Sequence, residues 1–211
     1  MISATIVLMA VLLDQLVGEL PRWHPLVGFG ILAQEAEHRL TVSQSPSQPP
    51  IITRLKGVLA VLLTCLPFAI IAFRLGLIHY LGPLFSIIIL YLAIGAKSLR
   101  QHAIAVAEAL ASGNLNAARS RVALMVSRDT SAMQDGDVTR AAIESVLENG
   151  NDAIFGTLFW FLLAGPGGAV LYRLVNTLDA MWGYKTPQYL HFGWAAARLD
   201  DLLNFIPARL T

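Results

Sequence analysis

The sequence predicts an all-α, polytopic integral membrane protein with about three spanning helices, a short re-entrant or kinked helix hairpin, and amphipathic helices on the cytoplasmic side. Three observations carry this expectation. The chain is 55% hydrophobic and 14% charged, with a mean hydropathy of +0.60, whereas a soluble domain is nearer half apolar and one quarter charged. The apolar excess is gathered into runs. The densest polar stretch, Ser127 to Asp152, directly precedes the apolar run Ala153 to Ala164, which points to a polar site held at a membrane surface.

Taken in order, Met1 to Leu13 is apolar but has no basic flank and no small-residue cleavage site before Asp14, so it reads as a retained helix, Ile2 to about Leu20, rather than a signal peptide. Asp14 falls in its second half, where an intramembrane carboxylate needs a partner or a polar cavity. Pro21 to Lys56 is a loop with a short amphipathic piece, Ile31 to Leu40, and a Ser, Gln and Pro linker from Ser43 to Pro50. Gly57 to Phe73 is an uncharged run of 17 residues, just long enough to cross, with Pro67 expected to kink it. After a turn at Gly76, Gly82 and Pro83, Leu84 to Ala96 returns, and the same helix is expected to continue through Lys97 and Arg100 to Leu110. Gly113 caps it, and Asn114 or Asn116 starts a short helix to about Val126.

A helix from Asp137 to Asn149 then brings Asp137, Arg140, Glu144 and Glu148 into one stripe, with Ala142, Ile143, Val146 and Leu147 packed behind. Taken alone, that stripe is more readily a solvated face with an Arg140–Glu144 pair and Asp137 near the N-cap, since exposed i,i+4 pairs are commonplace. The run Ala153 to Ala164 spans only ~18 Å against a hydrocarbon core of about 30 Å. With Gly165-Pro166-Gly167-Gly168 after it, a hairpin that dips in and returns is favoured over one kinked span from Ala153 to Leu174. The final segment has Thr186 as N-cap, Pro187 in the first turn, and a helix through Phe205 that Pro207 stops. Basic residues of the first and second loops are cytoplasmic if the N-terminus is outside, and Arg173, Lys185, Arg198 and Arg209 join them only if the short run is re-entrant.

The whole chain, 1–211, therefore reads as one membrane-embedded domain, with 97–152 a cytoplasmic helical segment carrying the polar cluster. A net charge of +1 without a basic, aromatic-interleaved stripe excludes nucleic acid. Cys65, the single cysteine, excludes an internal disulfide and a thiolate metal cluster. The histidines have no metal-ligand spacing, and Trp160, Trp182 and Trp194 read first as interface anchors. No P-loop is present.

Several short motifs stand in a fixed order. They are Ser127-Arg128-Asp129-Thr130-Ser131, Arg140 with Ile143-Glu144-Ser145, Glu148-Asn149, Asp152, Phe159-Trp160, Gly165-Pro166-Gly167, Tyr172-Arg173, Val175-Asn176-Thr177-Leu178-Asp179, Gly183-Tyr184, and Phe192-Gly193-Trp194 running to Asp200-Asp201. With Asp14, Gly18-Glu19, Pro21 and His24-Pro25 near the start, they resemble the CobD/CbiB family, the adenosylcobinamide-phosphate synthases of cobalamin biosynthesis. Two departures stand out: the Ser43 to Pro50 padding, and an end at Thr211 where such proteins usually continue into further membrane helices, so a C-terminal portion is expected to be absent.

The resemblance implies a multi-pass enzyme of the cell (inner) membrane, its active face cytoplasmic. It would join a carboxylate of adenosylcobyric acid to aminopropanol or its O-phosphate, with ATP and Mg²⁺. That chemistry asks for carboxylates toward Mg²⁺, met by Glu144, Glu148 and Asp152. It asks for guanidinium groups toward phosphate, met by Arg128, Arg140, Arg173 and Arg198. Asn149, Asn176 and Asp201 are substrate-binding candidates, and Asp129, Glu144, Glu148 and Asp179 catalytic ones, with Asp129 or Asp179 taking the amine proton. The partners implied are the corrinoid, the amino alcohol, membrane lipid, and either a second copy of the chain or a separate C-terminal fragment. The competing readings are a non-catalytic membrane sensor or assembly protein on the same scaffold, similar to AmpE, and a truncated inactive relative.

Overall fold

The computed structural model describes residues 2–19, 24–41 and 49–211, and every regular element among them is helical. Pro21, Arg22 and most of the Ser43 to Pro50 tract lie outside the described residues. Helix α1 (Ile2–Val17) ends at Gly18, whose φ of 77° is the left-handed conformation glycine adopts without a Cβ penalty. Helix α2 (Pro25–Thr41) is longer than the amphipathic piece expected, because Pro25 suits a first helical position. It buries Phe29, Ala33 and Glu37, one face at i, i+4 and i+8.

Helix α3 (Pro50–Gly76) has Pro67 inside it and is 27 residues long, about 40 Å. It leads through a tight turn, where Gly82 packs against the Gly76 carbonyl, into α4 (Gly82–Ala93). Among the described residues, three helical stretches are long and apolar enough to cross a membrane by length and composition: Pro50–Gly76, Gly82–Ala111 and Asp135–Trp182. Apolar side chains such as Leu8, Leu63, Ile70 and Leu84 are left exposed on α1, α3 and α4, as a lipid-facing surface requires.

The second stretch is not the continuous helix expected. It breaks at Ile94, which is extended (ψ 140°), and Gly95, and resumes as α5 (Ala96–Ala111). The break has a cause outside the helix. The Asp14 carboxylate accepts a hydrogen bond from Lys97 N at 2.9 Å, satisfying an orphan donor in the first turn of α5, while the Tyr91 hydroxyl donates to Gly18 O at 2.7 Å. Gly113 (φ 69°) ends α5, and Asn114 caps α6 (Leu115–Val122) through its side chain to Ala117 N, both as expected.

Helix α7 (Asp135–Asn149) runs through a π-helical turn (Gly150–Phe155) into α8 (Gly156–Trp182). Two residues of α8 are not helical: Ala164 (φ −130°, ψ 16°) and Gly165 (φ 64°, ψ −158°). The chain reverses there. A Cβ on Gly156 would overlap the Tyr172 ring, and one on Gly168 would meet the Trp160 carbonyl, whereas in a straight helix residues 156 and 172 would stand ~24 Å apart. The two arms are therefore antiparallel, paired about residue 164, and Gly156 and Gly168 let them touch. This is the hairpin the short run implied, and it brings both polar ends to one side. Pro166 at its tip packs against Gly76, and Gly167 against Ala69 and Phe73.

The final segment also departs from expectation. It divides into α9 (Tyr189–Phe192), α10 (Trp194–Asn204) and α11 (Pro207–Leu210), so Pro207 opens a helix rather than merely stopping one. Gly193 breaks it where the chain crosses the Trp182 carbonyl with no room for a Cβ. The main core joins α2, α3, the second arm of α8 and α10 through residues such as Cys65, Tyr172, Leu178, Trp182 and Phe192. Trp182 is fully buried, its indole donating to Glu37 Oε2 at 3.1 Å, so it is a core residue and not an interface anchor.

Candidate active site

The polar cluster is assembled by α7, the π-helical turn and the second arm of α8. Gln134 is the N-cap of α7, and Asp137 sits near it, as expected, at the third position, accepting from Gln134 N at 3.1 Å. The buried face of α7 is Val138, Ala141 and Ser145, which pack toward α5 and α6. Ser145 Oγ donates to Met125 O at 2.8 Å and holds the preceding loop. Ile143 and Leu147, expected behind the stripe, are exposed instead, because α5 and α6 cover the side about 100° away.

With that face inward, Glu144 and Glu148 turn toward α8. Along the second arm Asn176, Asp179 and Gly183 recur at helical spacing on one side. Between the two walls is a cavity of about 530 Å³ lined by Arg128, Glu144, Glu148, Asn149, Asp152, Asn176 and Asp179, with Tyr184 at its edge. Seven of the candidate residues thus meet around one space. Four are carboxylates and one is a guanidinium, so the cavity favours cations or anions that arrive with one. Arg128 Nη2 pairs with Glu144 Oε2 at 2.6 Å, both side chains largely exposed, in place of the Arg140–Glu144 pair the spacing allowed.

At the base of the hairpin the two arms are tied by side chains. Asn176 Nδ2 donates to Asp152 Oδ2 at 3.0 Å and its Oδ1 accepts from Arg173 Nη1 at 3.2 Å. Asn151 donates to Asn204 Oδ1 at 3.0 Å, which also accepts from the Tyr172 hydroxyl at 2.7 Å. Asp200 joins them, accepting from Asn204 Nδ2 at 3.1 Å and Asn176 Nδ2 at 3.4 Å. Burial pushes the Asp200 carboxyl up to about 6, the nearby Asp179 and Asp152 adding to the rise, against the lowering bonds from Asn204 and Asn176.

Six candidates do not line the cavity: Asp129, Arg140, Arg173, Arg198, Asp201 and Asp14. Asp129 closes a local turn, accepting from Ser131 N and Oγ at 2.9 Å each, and those bonds hold it below the usual carboxylate range. Arg140 is exposed. Arg198 and Asp201 pair with each other at 3.3 Å on the exposed side of α10. It is Asp200, about 100° round the helix from Asp201, that enters the network. The signal was its place on the side of α10 that carries the buried Ala196 and Leu203, where a carboxylate is unusual. Asp14, fully buried, finds the partner it needs in the α5 backbone at Lys97 N, with Gln15 Nε2 also donating to it at 3.2 Å.

Among the described residues no three His, Cys, Asp or Glu side chains converge closely enough to hold a metal ion. Glu144, Glu148 and Asp152 stand around the cavity as separate carboxylates. A Mg²⁺ ion that keeps its water and phosphate oxygens needs only one or two of them, and this donor set is all oxygen.

The sequence was compared with known proteins. No solved structure matches. The protein named cobalamin biosynthesis protein CobD in Chromobacterium violaceum is 54% identical over 209 residues, covering 99% of this chain and 67% of that protein. Its namesake in Stutzerimonas stutzeri is 53% identical, covering 95% and 65%, and that in Geobacter metallireducens is 41% identical, covering 99% and 66%. The chain therefore spans about two thirds of the length of these relatives. The model of the family described as CobD/Cbib protein matches residues 7–211, nearly the whole chain, and with the relatives at this identity it follows that the chain belongs to the CobD/CbiB family of cobalamin biosynthesis proteins.

Proposed function

We propose that this chain forms an amide bond between a carboxylate of adenosylcobyric acid and the amine of aminopropanol or its O-phosphate, at the expense of ATP, on the cytoplasmic side of the inner membrane. The observation that carries the reading is the single cavity of about 530 Å³ in which Arg128, Glu144, Glu148, Asn149, Asp152, Asn176 and Asp179 converge. A cavity of that size takes a small-molecule head and its reacting arm rather than a whole macrocycle. ATP with Mg²⁺, when bound, supplies the group that turns a carboxylate oxygen into a leaving group.

The residues divide the remaining work. One or two of Glu144, Glu148 and Asp152 would hold the divalent cation, its other positions taken by water and phosphate oxygens, and Arg128 would pair with phosphate oxygens, giving up its exposed Glu144 partner at small cost. Asn176, oriented by Arg173 and Asp152, presents its amide at the cavity wall. In the bond-forming step the carboxyl carbon gains the amine nitrogen and loses the activated oxygen, and the amine proton passes to Asp179. Placement of the site on the cytoplasmic side is supported by the many arginines and lysines in segments the hairpin gathers at one end.

The test is amide formation by the protein in membranes or detergent, given ATP, Mg²⁺, adenosylcobyric acid and aminopropanol O-phosphate. Glu148→Gln should lower kcat/KM by about a hundredfold or more, with folded protein retained. Turnover at the parental rate in both Glu144→Gln and Glu148→Gln would remove the carboxylates from the chemistry.

A further inference from the structure

A second cavity, of about 190 Å³, lies behind the first and shares Met125, Ser145 and Asn149 with it. Its remaining wall brings together Glu19, Ser98, His102 and Arg173. Glu19 and Arg173 face the same space with opposite charge but make no ion pair with each other within 4.0 Å. The Arg173 guanidinium is only partly used: one Nη reaches Asn176, while the buried Nε has no partner. An unpaired buried guanidinium nitrogen is costly unless a ligand completes it. The opposite wall is built for Glu19. A Cβ at Gly95 would lie 2.7 Å from Glu19 Oε1, so the break between α4 and α5 puts a glycine where that carboxylate needs room.

Resting on the amidation reading, we propose that this cavity seats the amine component as a small zwitterion, its ammonium on Glu19 and its anionic group on Arg173, one step from the carboxylate-lined cavity. The volume is that of about six waters, suited to an amine of few atoms and far too small for a nucleotide or a corrin ring. Ser98 and His102 add polar contacts along the wall, and Asn149 and Ser145, hydrogen-bonded to each other, form the boundary shared with the larger cavity. The two sites divide the substrates by charge: the carboxylate-rich cavity takes what arrives with a divalent cation, the Glu19–Arg173 cavity takes what carries both signs itself.

Equilibrium dialysis of the purified protein with O-phosphoethanolamine, ethanolamine and inorganic phosphate tests this without reading amidation. O-Phosphoethanolamine should bind at least tenfold more tightly than either fragment. Glu19→Gln, nearly isosteric, should remove the advantage over inorganic phosphate, and Arg173→Gln the advantage over ethanolamine. Ser98→Phe, which fills the cavity without touching either charge, should abolish binding while ATP·Mg²⁺ binding persists, showing that the variant is folded. Equal affinity for ethanolamine and O-phosphoethanolamine overturns the proposal. So does zwitterion binding that survives Ser98→Phe but is lost in Glu148→Gln. Either result leaves amide formation itself standing, because that activity is read in a separate assay.

Discussion

Asp200 makes the stability of this protein depend on pH in a direction opposite to that of most carboxylates. Its carboxyl titrates at about 6 in the folded chain against 3.8 when unperturbed, mainly because it is buried and secondarily because Asp179 and Asp152 are near. A carboxyl whose folded pKa is raised contributes its stability in full below the unfolded value, where both states hold the proton. That contribution is lost as pH climbs from about 4 to about 6. Two pKa units correspond to about 3 kcal/mol, and partial exposure of Asp200 screens this to roughly 1–2 kcal/mol. Asp200→Asn keeps a neutral acceptor for Asn204 and forfeits the longer bond from Asn176. Its thermal midpoint in detergent, followed by tryptophan fluorescence, should match the parent near pH 4 and exceed it by a few degrees at pH 7. Midpoint curves that stay parallel from pH 4 to 7 would refute the reasoning, since Asp200 would then be freely ionised in the folded state.

Three further expectations follow from the packing. Gly156→Ala places a methyl group in the Tyr172 ring and should cost about 1–3 kcal/mol; a thermal midpoint equal to the parent would mean the arms of α8 do not touch there. Single cysteines at Gln134 and Gln188 in a Cys65→Ser background should react alike with an impermeant thiol reagent, both from one side of the membrane, and opposite behaviour would break the hairpin. Asp14→Leu leaves the Lys97 N–H without an acceptor and should destabilise by about 1–2 kcal/mol, while Asp14→Asn retains most of that bond and stability; equal midpoints for the two would remove the capping role.

The parts legible in the sequence were those decided by local chemistry. Gly113 marked a helix end by its lack of a Cβ and Asn114 a helix start by its side chain, and the run to Ala164 was too short for any straight crossing. The convergence of Glu144, Glu148 and Asp152 with Asn176 and Asp179 followed once the hairpin was granted. What escaped was set by neighbours distant in the chain. The apolar stripe runs without interruption through Ile94, so nothing local reveals that Asp14, 83 positions from Lys97, takes over the first turn of α5. Periodicity located the stripe of α7 but could not say which flank α5 and α6 would cover. Trp182 looked like an interface residue because Glu37, its partner, lies 145 positions away. Asp200 and Asp201 are distinguished only by the direction in which α10 faces the core.

The folded-back hairpin also constrains how the chain is made. The first arm of α8 is far shorter than a spanning segment, and the polar groups at the bases of the two arms, Asp152 and Asn176, are satisfied by each other. The two arms must therefore enter the bilayer together, the Gly165-Pro166 tip leading. That tip comes to rest against Gly76, Ala69 and Phe73 of a helix completed some ninety residues earlier. The α3–α4 pair has to be in place first, as the socket that receives the hairpin. Insertion is thus ordered from the N-terminus, and a lesion at Gly76 or Gly82 would surface as a late failure of the polar site rather than an early failure of membrane integration.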